Sequence, residues 1–479
     1  MFGRCADKVG FNIKFSKKFL GRKSFKLRPD PNDYSMMRSK LCCDIANRLG
    51  LPSIQATYAR LYMNGEFWGL YVLMDAVKPS WVKETFEPSE KEVTTLYQCK
   101  NGGIKLTVDT QNSCKNANDD YPSMDEFAKF INDVENATTT AELEQIVDIK
   151  VFIKYLVFEW LIGSFDHFMI YGHNLNWYKR EDGKWIVVYY DYDNTYGIGL
   201  NKKLWKGKSI NQDGTKFVGG TNFVSFCFAD WELNTPVLGK LIFQNQEYFK
   251  KIVYDVLVQA FNPDLLNSRI DELAAFLTPY IEEDWTEIDG ELPGRINKLG
   301  GAHSSSVSNF VSNTEDVVRK WINDKFEAAL VCYDFDKEQI LAESANFTPK
   351  PYNYKKYSSS VEEPIVIEET TTIMAEPTQT EIEAAKPTET IGSSHCKFES
   401  LGYECCSHCK SIYEDKDGLW GSEHGKWCGI SDECLAKIDE CWSIKKGYPC
   451  CNHCNVYTTD HSGSWGVMNN DWCGIPTSC

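Results

Sequence analysis

Four side chains have the types and the order needed to hold a metal and steer a hydroxyl: Asp166, Asn174, Asp191 and Asp193. The last two close the segment 187-VVYYDYDNTYG-197, where a β-favouring run meets two aspartates at i, i+2 and then a glycine. Alternation along a strand puts Asp191 and Asp193 on one side and Tyr192 on the other. Carboxylates at a buried strand end are costly unless donors or a cation compensate them. One solution is an Asx-type turn that satisfies both with backbone amides. The other is a divalent cation: hard oxygen ligands suit Mg²⁺ or Mn²⁺, which commonly sits between one or two carboxylates and substrate phosphates. An isolated D-x-D favours the turn, and 334-DFD-336 shows the same spacing with no following glycine and no partner loop.

The context favours the metal. Asp166 precedes Asp191 and Asn174 lies between them, in the order helix, Asp, loop, Asn, strand, strand, Asp. Protein kinases use that order: a catalytic-loop Asp orients the acceptor hydroxyl, an Asn holds metal, and a later Asp holds metal. The Asp-to-Asn gap is longer here than in the kinase catalytic loop. His167 and His173 flank the loop, but a zinc site lacks a third ligand at useful spacing.

These residues need a scaffold. Residues 11–30 read as two short strands, FNIKF and SFKLR, around a basic turn. A helix is expected over 34–50, with Asp33 as N-cap and Gly50 as its stop. In 57-TYARLYMNGEFWGLYVLMDAV-77, Asn64-Gly65 between apolar runs predicts a type I′ hairpin. Helices are expected over 124–135, 140–147 and 149–163, the last apolar on nearly every face and so a buried central helix. Strands 175–181 and 184–193 follow around Asp182-Gly183, then helices from about 235 to 332.

With 479 residues, 42% of them hydrophobic, the chain is long enough for two to four domains. The net charge of −17 repels phosphate backbones, so nucleic acid is excluded as a partner. The longest apolar run, 155-YLVFEWLIGSF-165, contains Glu159 and is too short to span a bilayer. The N-terminus opens without an apolar signal segment, although two sequons (Asn136, Asn346) and the cysteine usage fit secretion. The expectation is a chain lacking its true N-terminus.

The segments 57–78, 149-DIKVFIKYLVFEWLIGSFDHF-168 and 183-GKWIVVYYDYDNTYG-197 resemble the CotH family of spore-coat-type atypical kinases. The resemblance covers roughly residues 10–335. It implies a kinase-like two-lobed α+β fold that uses ATP with Mg²⁺ or Mn²⁺ and phosphorylates proteins on serine. Asp166 matches the catalytic-loop aspartate, Asp191 the metal aspartate, and Asn174 and Asp193 further metal ligands. The phosphate-contacting basic residues fall on or near the first strands, where Lys14, Lys26 and Arg38 are candidates, with solvated surface lysine as the alternative. Asp75 stands where members carry a Glu, either at the lobe junction or in a structural role.

Residues 349–395, rich in Pro, Thr, Ser and Glu, read as a disordered linker that cannot bury enough apolar surface to fold. The kinase-like domain is thus placed at 1–348. Of 19 cysteines, twelve lie in the last 84 residues. Cys396, Cys405, Cys406, Cys409, Cys428 and Cys434 recur, each shifted by 45, at Cys441, Cys450, Cys451, Cys454, Cys473 and Cys479. A tandem repeat follows, with modules at 396–434 and 441–479, each too small for a core without disulfides. Six cysteines per module allow 15 pairings, and sequence does not choose among them. The Cys-Cys-x-His-Cys and Trp-Cys-Gly-Ile strings resemble the fungal dockerins of anaerobic gut fungi, which are related to small carbohydrate-binding modules. That resemblance implies docking onto a scaffold protein of an extracellular cellulosome. The binding candidates are Tyr403, Asp415, Trp420 and Trp427, with Tyr448, Asp460, Trp465 and Trp472 in the second copy. Trp427 and Trp472, beside cysteines, are equally placed to form a mini-core, whereas Trp420 and Trp465, beside glycines, are expected to project. Two rival functions stay open: a non-catalytic adhesin that keeps the fold, and a cellulose-binding protein acting through the aromatic residues of the tail.

Overall fold

The computed structural model describes residues 6–19, 21–200, 222–231, 236–242, 246–301 and 306–349. In the tail it describes 397–401, 403–406, 413–415, 418–423, 426–430, 443, 458–460, 463–468 and 471–476. The linker expected at 349–395 thus falls almost wholly outside the described residues. The chain divides into two compact units, a larger one of residues 1–355 with 422–427 and a smaller one of residues 356–421 and 428–479.

In the larger unit, β1 (Phe11–Phe19) and β2 (Arg22–Arg28) form a hairpin, and β3 (Ala56–Met63) and β4 (Glu66–Asp75) form another. All pairings are antiparallel in a sheet of order β1-β2-β4-β3. Asn64 and Gly65 both take positive φ, 52° and 86°, as a type I′ turn requires. Helix α1 covers Arg38–Arg48, starting four residues later than expected. Met36 at φ 55° breaks any earlier helical run. Asp33 is not the N-cap; its carboxylate instead accepts from the amides of Ser35 (3.0 Å) and Arg38 (2.9 Å) across that turn.

A short helix α2 (Pro79–Thr85) leads to a second antiparallel sheet, from β5 (Leu96–Cys99), β6 (Cys114–Asn116), β7 (Leu175–Lys179) and β8 (Trp185–Tyr189), in the order β6-β5-β7-β8. Between β6 and β7 run α3 (Asp125–Asn136), α4 (Thr140–Ile146) and α5 (Ile149–Leu161). Every residue of α5 except Lys150 and Lys154 is buried, as its sequence predicts. Strand β8 ends at Tyr189, so the expected alternation of Asp191 and Asp193 on one strand face does not exist. Both aspartates stand in the turn that follows. The physical reason is Asp191 itself, whose φ of 70° no strand accommodates.

The remaining described helices are α6 (Phe228–Trp231), α7 (Pro236–Ile242), α8 (Gln246–Gln259), α9 (Pro263–Asp284), α10 (Val307–Ser312), α11 (Lys320–Tyr333) and α12 (Lys337–Asn346). A π-helical stretch, Asn313–Arg319, joins α10 to α11. Two disulfides brace this unit, Cys99–Cys114 and Cys227–Cys332, where the sequence reading had placed bridges only in the tail. Cys42 and Cys43 are free and buried.

The tail repeat is visible in its strands. A three-stranded sheet of β9 (Tyr413–Asp415), β10 (Gly418–Glu423) and β11 (Lys426–Gly429) recurs 45 residues on as β12 (Thr458–Asp460), β13 (Gly463–Met468) and β14 (Asp471–Gly474). A Cys406–Cys428 disulfide staples the first module, and Cys405 is also disulfide-bonded. The pairing of the other tail cysteines lies outside the described residues. The α+β architecture with small disulfide-linked β modules therefore holds.

Candidate active site

Past β8, Tyr190 donates its amide to the Asn174 carbonyl (3.0 Å). That bond ties together two left-handed positions, Asn174 at φ 51° and Asp191 at φ 70°. Asn and Asp visit this region more readily than other residues with side chains. One guanidinium then joins the aspartates: Arg28 Nη2 lies 2.9 Å from Asp191 Oδ1 and 3.1 Å from Asp193 Oδ2. Arg28 and Lys26 share a face of β2 because Phe25 and Leu27 are turned into the core. Lys26 sits over the Tyr190 ring at 5.2 Å. Burial lowers its pKa, while the Asp191 charge opposes that shift.

Against the desolvation that burial imposes, Arg28 and Lys26 hold the Asp191 carboxyl below its usual range. Asp193 goes the other way, raised by burial and by the Asp191 charge. Arg28 and Lys26 face Asp30 and Asp166 as well as this pair, so the cluster is short of positive charge, which is the electrostatic condition a dication meets. The donors here are hard oxygens, the two carboxylates, and they fit Mg²⁺ or Mn²⁺; Asn174 is buried and is joined to this turn by its backbone carbonyl. Among the described residues no three His, Cys, Asp or Glu side chains converge as a metal cluster. The protein thus offers two carboxylates, leaving other positions for water and phosphate.

Asp166, 8% exposed, lies beside this pair. Its Oδ2 accepts from the Asn194 amide (2.8 Å), and its Oδ1 bonds His173 Nδ1 (2.8 Å). His173 Nε2 lies 2.6 Å from the Lys100 carbonyl. Both ring nitrogens can donate only in the protonated ring, and the bond to Asp166 raises the His173 pKa accordingly. His167 is the opposite case. Its ring lies between Ser164 Oγ (2.6 Å) and the Tyr190 carbonyl (3.0 Å), and burial pushes it down to about 4, so it is neutral. With both imidazoles engaged in this way, the zinc reading has no ligand to start from.

The loop that presents Asp166 is held from inside. Glu159, the one acid of α5, accepts from the amides of Phe168 (3.1 Å) and Met169 (2.8 Å) and from the Tyr189 hydroxyl (2.8 Å). One carboxyl group therefore fixes both the Asp166 loop and the strand end that leads to Asp191. Burial pushes this carboxyl up to about 8. Glu159, Arg28 and Asn194 were not among the candidate site residues read from sequence, and His173 was weighed there only as a zinc ligand. A single acid in an otherwise apolar helix was the available signal for Glu159. For Arg28 it was the alternation of 25-FKLR-28, which puts Lys26 and Arg28 on one face.

The other candidates lie apart from this cluster. Lys14 is exposed on β1, opposite Ser24. Arg38 has no exposed surface; its guanidinium holds Asp33, the Thr195 carbonyl (3.1 Å) and Asn313 (2.9 Å), so it braces the turn after Asp193 from beneath. Asp75 is taken up by Arg22 (2.9 Å), the Gln55 amide (3.0 Å) and the Trp81 indole (3.2 Å), a structural set at the end of β4.

In the tail, Trp420 corrects the expectation that it projects. It is 1% exposed, packed on Phe398 (4.2 Å between centroids) and Tyr403 (4.9 Å). Gly429 makes room for this: a Cβ there would lie 2.0 Å from the Phe398 ring. Trp427, by contrast, is partly exposed. The side chains of Asp415, Asp460, Trp465 and Trp472, and all of Tyr448, lie outside the described residues.

Residues 3–327 match the family described as CotH kinase protein. The chain belongs to that family. The tail matches a second family, described as cellulose or protein binding domain, at residues 395–430 and 440–475. The relatives include invasin CotH2 of Rhizopus delemar, 25% identical over 284 residues, which cover 55% of this chain and 45% of that protein. The chain thus spans about half the length of that relative. Endoglucanase B of Neocallimastix patriciarum is 48% identical over 50 residues, 10% of this chain and 11% of the enzyme. A solved double dockerin from Piromyces equi Cel45A is 39% identical, covering 18% of this chain and 88% of that one, with a TM-score of 0.11. Both parts of the resemblance read from sequence, CotH and fungal dockerin, are borne out by these sequence matches.

Proposed function

We propose that the protein is an extracellular protein kinase that transfers the γ-phosphoryl group of ATP to protein serine and is docked by its tail modules onto the scaffold of a fungal cellulosome. The observation that carries the kinase reading is the bond from Asn194 to Asp166. It couples the Asp191–Asn194 turn to the side chain whose family role is to orient the acceptor. Asp166 receives the serine proton as the hydroxyl oxygen bonds the γ-phosphorus and the bond to the β-phosphate oxygen breaks. Hydrogen bonds from His173 and Asn194 hold the Asp166 carboxyl in place, and its remaining lone pairs would be free to accept from the serine hydroxyl. Asp191, Asp193 and Asn174 are the residues that would hold Mg²⁺ or Mn²⁺, which when bound neutralises charge on the phosphate oxygens. Lys26, close enough to Asp191 to feel its charge, is the basic residue best placed for a phosphate. The docking reading rests on the tail's likeness to a dockerin and to a cellulose or protein binding domain. Disulfides in both units suit an oxidising, extracellular setting.

Incubating the full chain with labelled ATP and Mn²⁺ tests the kinase reading. Label is expected in protein with the native chain and not with Asp191→Ala. The same variant is expected to keep its fold and lose the rise in melting temperature that nucleotide with Mg²⁺ gives the native chain. An equal rise in both proteins would reject the role of Asp191. A second reading, a non-catalytic surface adhesin, is favoured by the invasin names of the relatives. Absence of label in any acceptor would move the function there.

A further inference from the structure

We propose that Arg28 is a placeholder cation for the Asp191 and Asp193 carboxylates, and that it gives up that position to a divalent metal by turning its guanidinium onto Asp30. The inference rests on the reading of Asp191 and Asp193 as the metal pair.

Three observations carry it. First, a single nitrogen of Arg28 lies within hydrogen-bond distance of both aspartates, so it stands where a bridging cation stands. A dication and a guanidinium cannot share that place, because each would face the other's charge across a few ångströms of poorly screened protein. Second, a berth lies next door. Arg28 Nε is already 3.5 Å from Asp30 Oδ1, at the edge of hydrogen bonding. Third, that berth is incomplete. Asp30 is 1% exposed, and its Oδ2 is buried with no hydrogen-bond partner. Buried carboxylate oxygens are rarely left so. Asp30 is held in place by a left-handed backbone (φ 42°) after Pro29. The planar arginine fork has five N–H donors and can form a two-bond pair with one carboxylate. Moving from the Asp191–Asp193 pair to Asp30 exchanges one hydrogen bond and one ion-pair contact with different acids for one paired contact, and it satisfies the orphaned oxygen. Metal-free, the arginine keeps the two aspartates from repelling each other. Metal-bound, it stays compensated.

The test titrates MnCl₂ alone, without nucleotide, into the full chain and follows bound Mn²⁺ by electron paramagnetic resonance. Four proteins are compared: native, Arg28→Gln, Asp30→Asn and the double variant. Removing the occupant tightens Mn²⁺ binding by about tenfold or more. Removing the berth weakens it by about threefold or more in the native background. In the Arg28→Gln background, Asp30→Asn changes affinity by less than about twofold, because nothing remains to move. Simple loss of charge would instead make the two effects additive, and additivity overturns the proposal. So does unchanged or weaker binding by Arg28→Gln, including no binding by any of the proteins. If Arg28→Gln fails to fold, Arg28→Lys decides. A lysine keeps the charge without the fork, so tighter binding than native sustains the proposal and equal binding overturns it. Phosphoryl transfer is assayed in parallel. No transfer with the affinity order intact sinks the kinase reading alone. Transfer without that order sinks the placeholder alone.

Discussion

Two residues a single position apart, Asp166 and His167, carry opposite assignments, and each can be tested alone. Asp166 is held by His173 and Asn194, and in the role proposed for it acts on the acceptor rather than on the nucleotide. Asp166→Asn should therefore lower kcat by about 10²–10⁴-fold while nucleotide affinity, read by calorimetry, moves by less than about threefold. Equal losses in both would make it a metal or structural residue. His167 is buried and neutral, with a pKa near 4 in the folded protein against 6.5 ordinarily. Between these values the unfolded chain binds a proton that the folded chain refuses. This contribution is fully present above pH 6.5 and is lost as pH falls towards 4. At 1.36 kcal/mol per pH unit the loss is on the order of 3 kcal/mol. Urea unfolding of the native chain and His167→Gln at pH 7.5 and pH 4 should show a smaller acid loss in the variant. Equal acid losses would mean that the imidazole is not held neutral.

Helix α5 shows how one element decides the local order of the site, and how far a sequence discloses it. Its apolar sequence makes it buried, and burial makes its one acid consequential. Glu159 meets two loop amides and a strand hydroxyl that have no water to turn to. Glu159→Leu would fill the space and orphan those three donors, at a cost of about 3 kcal/mol or more. Chemical denaturation should show Glu159→Gln falling between the two, since it keeps one acceptor oxygen. A Leu variant as stable as the native chain would show that the carboxylate braces nothing. The helix itself, the Asn64-Gly65 hairpin and the strands around Asp182-Gly183 were legible because periodicity and turn chemistry are local. The start of α1 and the end of β8 were not. Met36 takes a left-handed backbone that its residue type does not announce, and Asp191 takes one that its type permits without requiring. The Asp166, Asn174, Asp191 order was readable for the same local reasons. The place of Arg28 in the site was not, because the two aspartates it joins there lie more than 160 residues away, Asp193 being 165 residues on and unmarked by any spacing rule.

At the scale of the whole molecule, two small modules follow the CotH unit. Among the described residues of the first module the core is a few rings and the Cys406–Cys428 disulfide, so a ring that packs there cannot also be the main contact surface. Trp420 is such a ring, held between Phe398 and Tyr403. Trp420→Ala would remove an aromatic side chain from a core that has little else, at a cost of about 3–5 kcal/mol, enough to unfold a module of this size. Trp427 is partly exposed and sits one residue before the Cys406–Cys428 bridge, so its removal should spare the fold. The two variants of the full chain therefore separate folding from docking. After Trp427→Ala the first module should stay resistant to protease, and retention on scaffold fractions should weaken. After Trp420→Ala both resistance and docking by that module should go. In either case the second module still docks, so binding should fall by the avidity factor, roughly 10²-fold, rather than vanish. Reducing the disulfides should abolish retention completely, because both modules depend on them. Crystalline cellulose is the control surface. Retention on cellulose that survives in Trp420→Ala, with no partner found among scaffold proteins, would sink the docking role and give the tail a sugar-binding one.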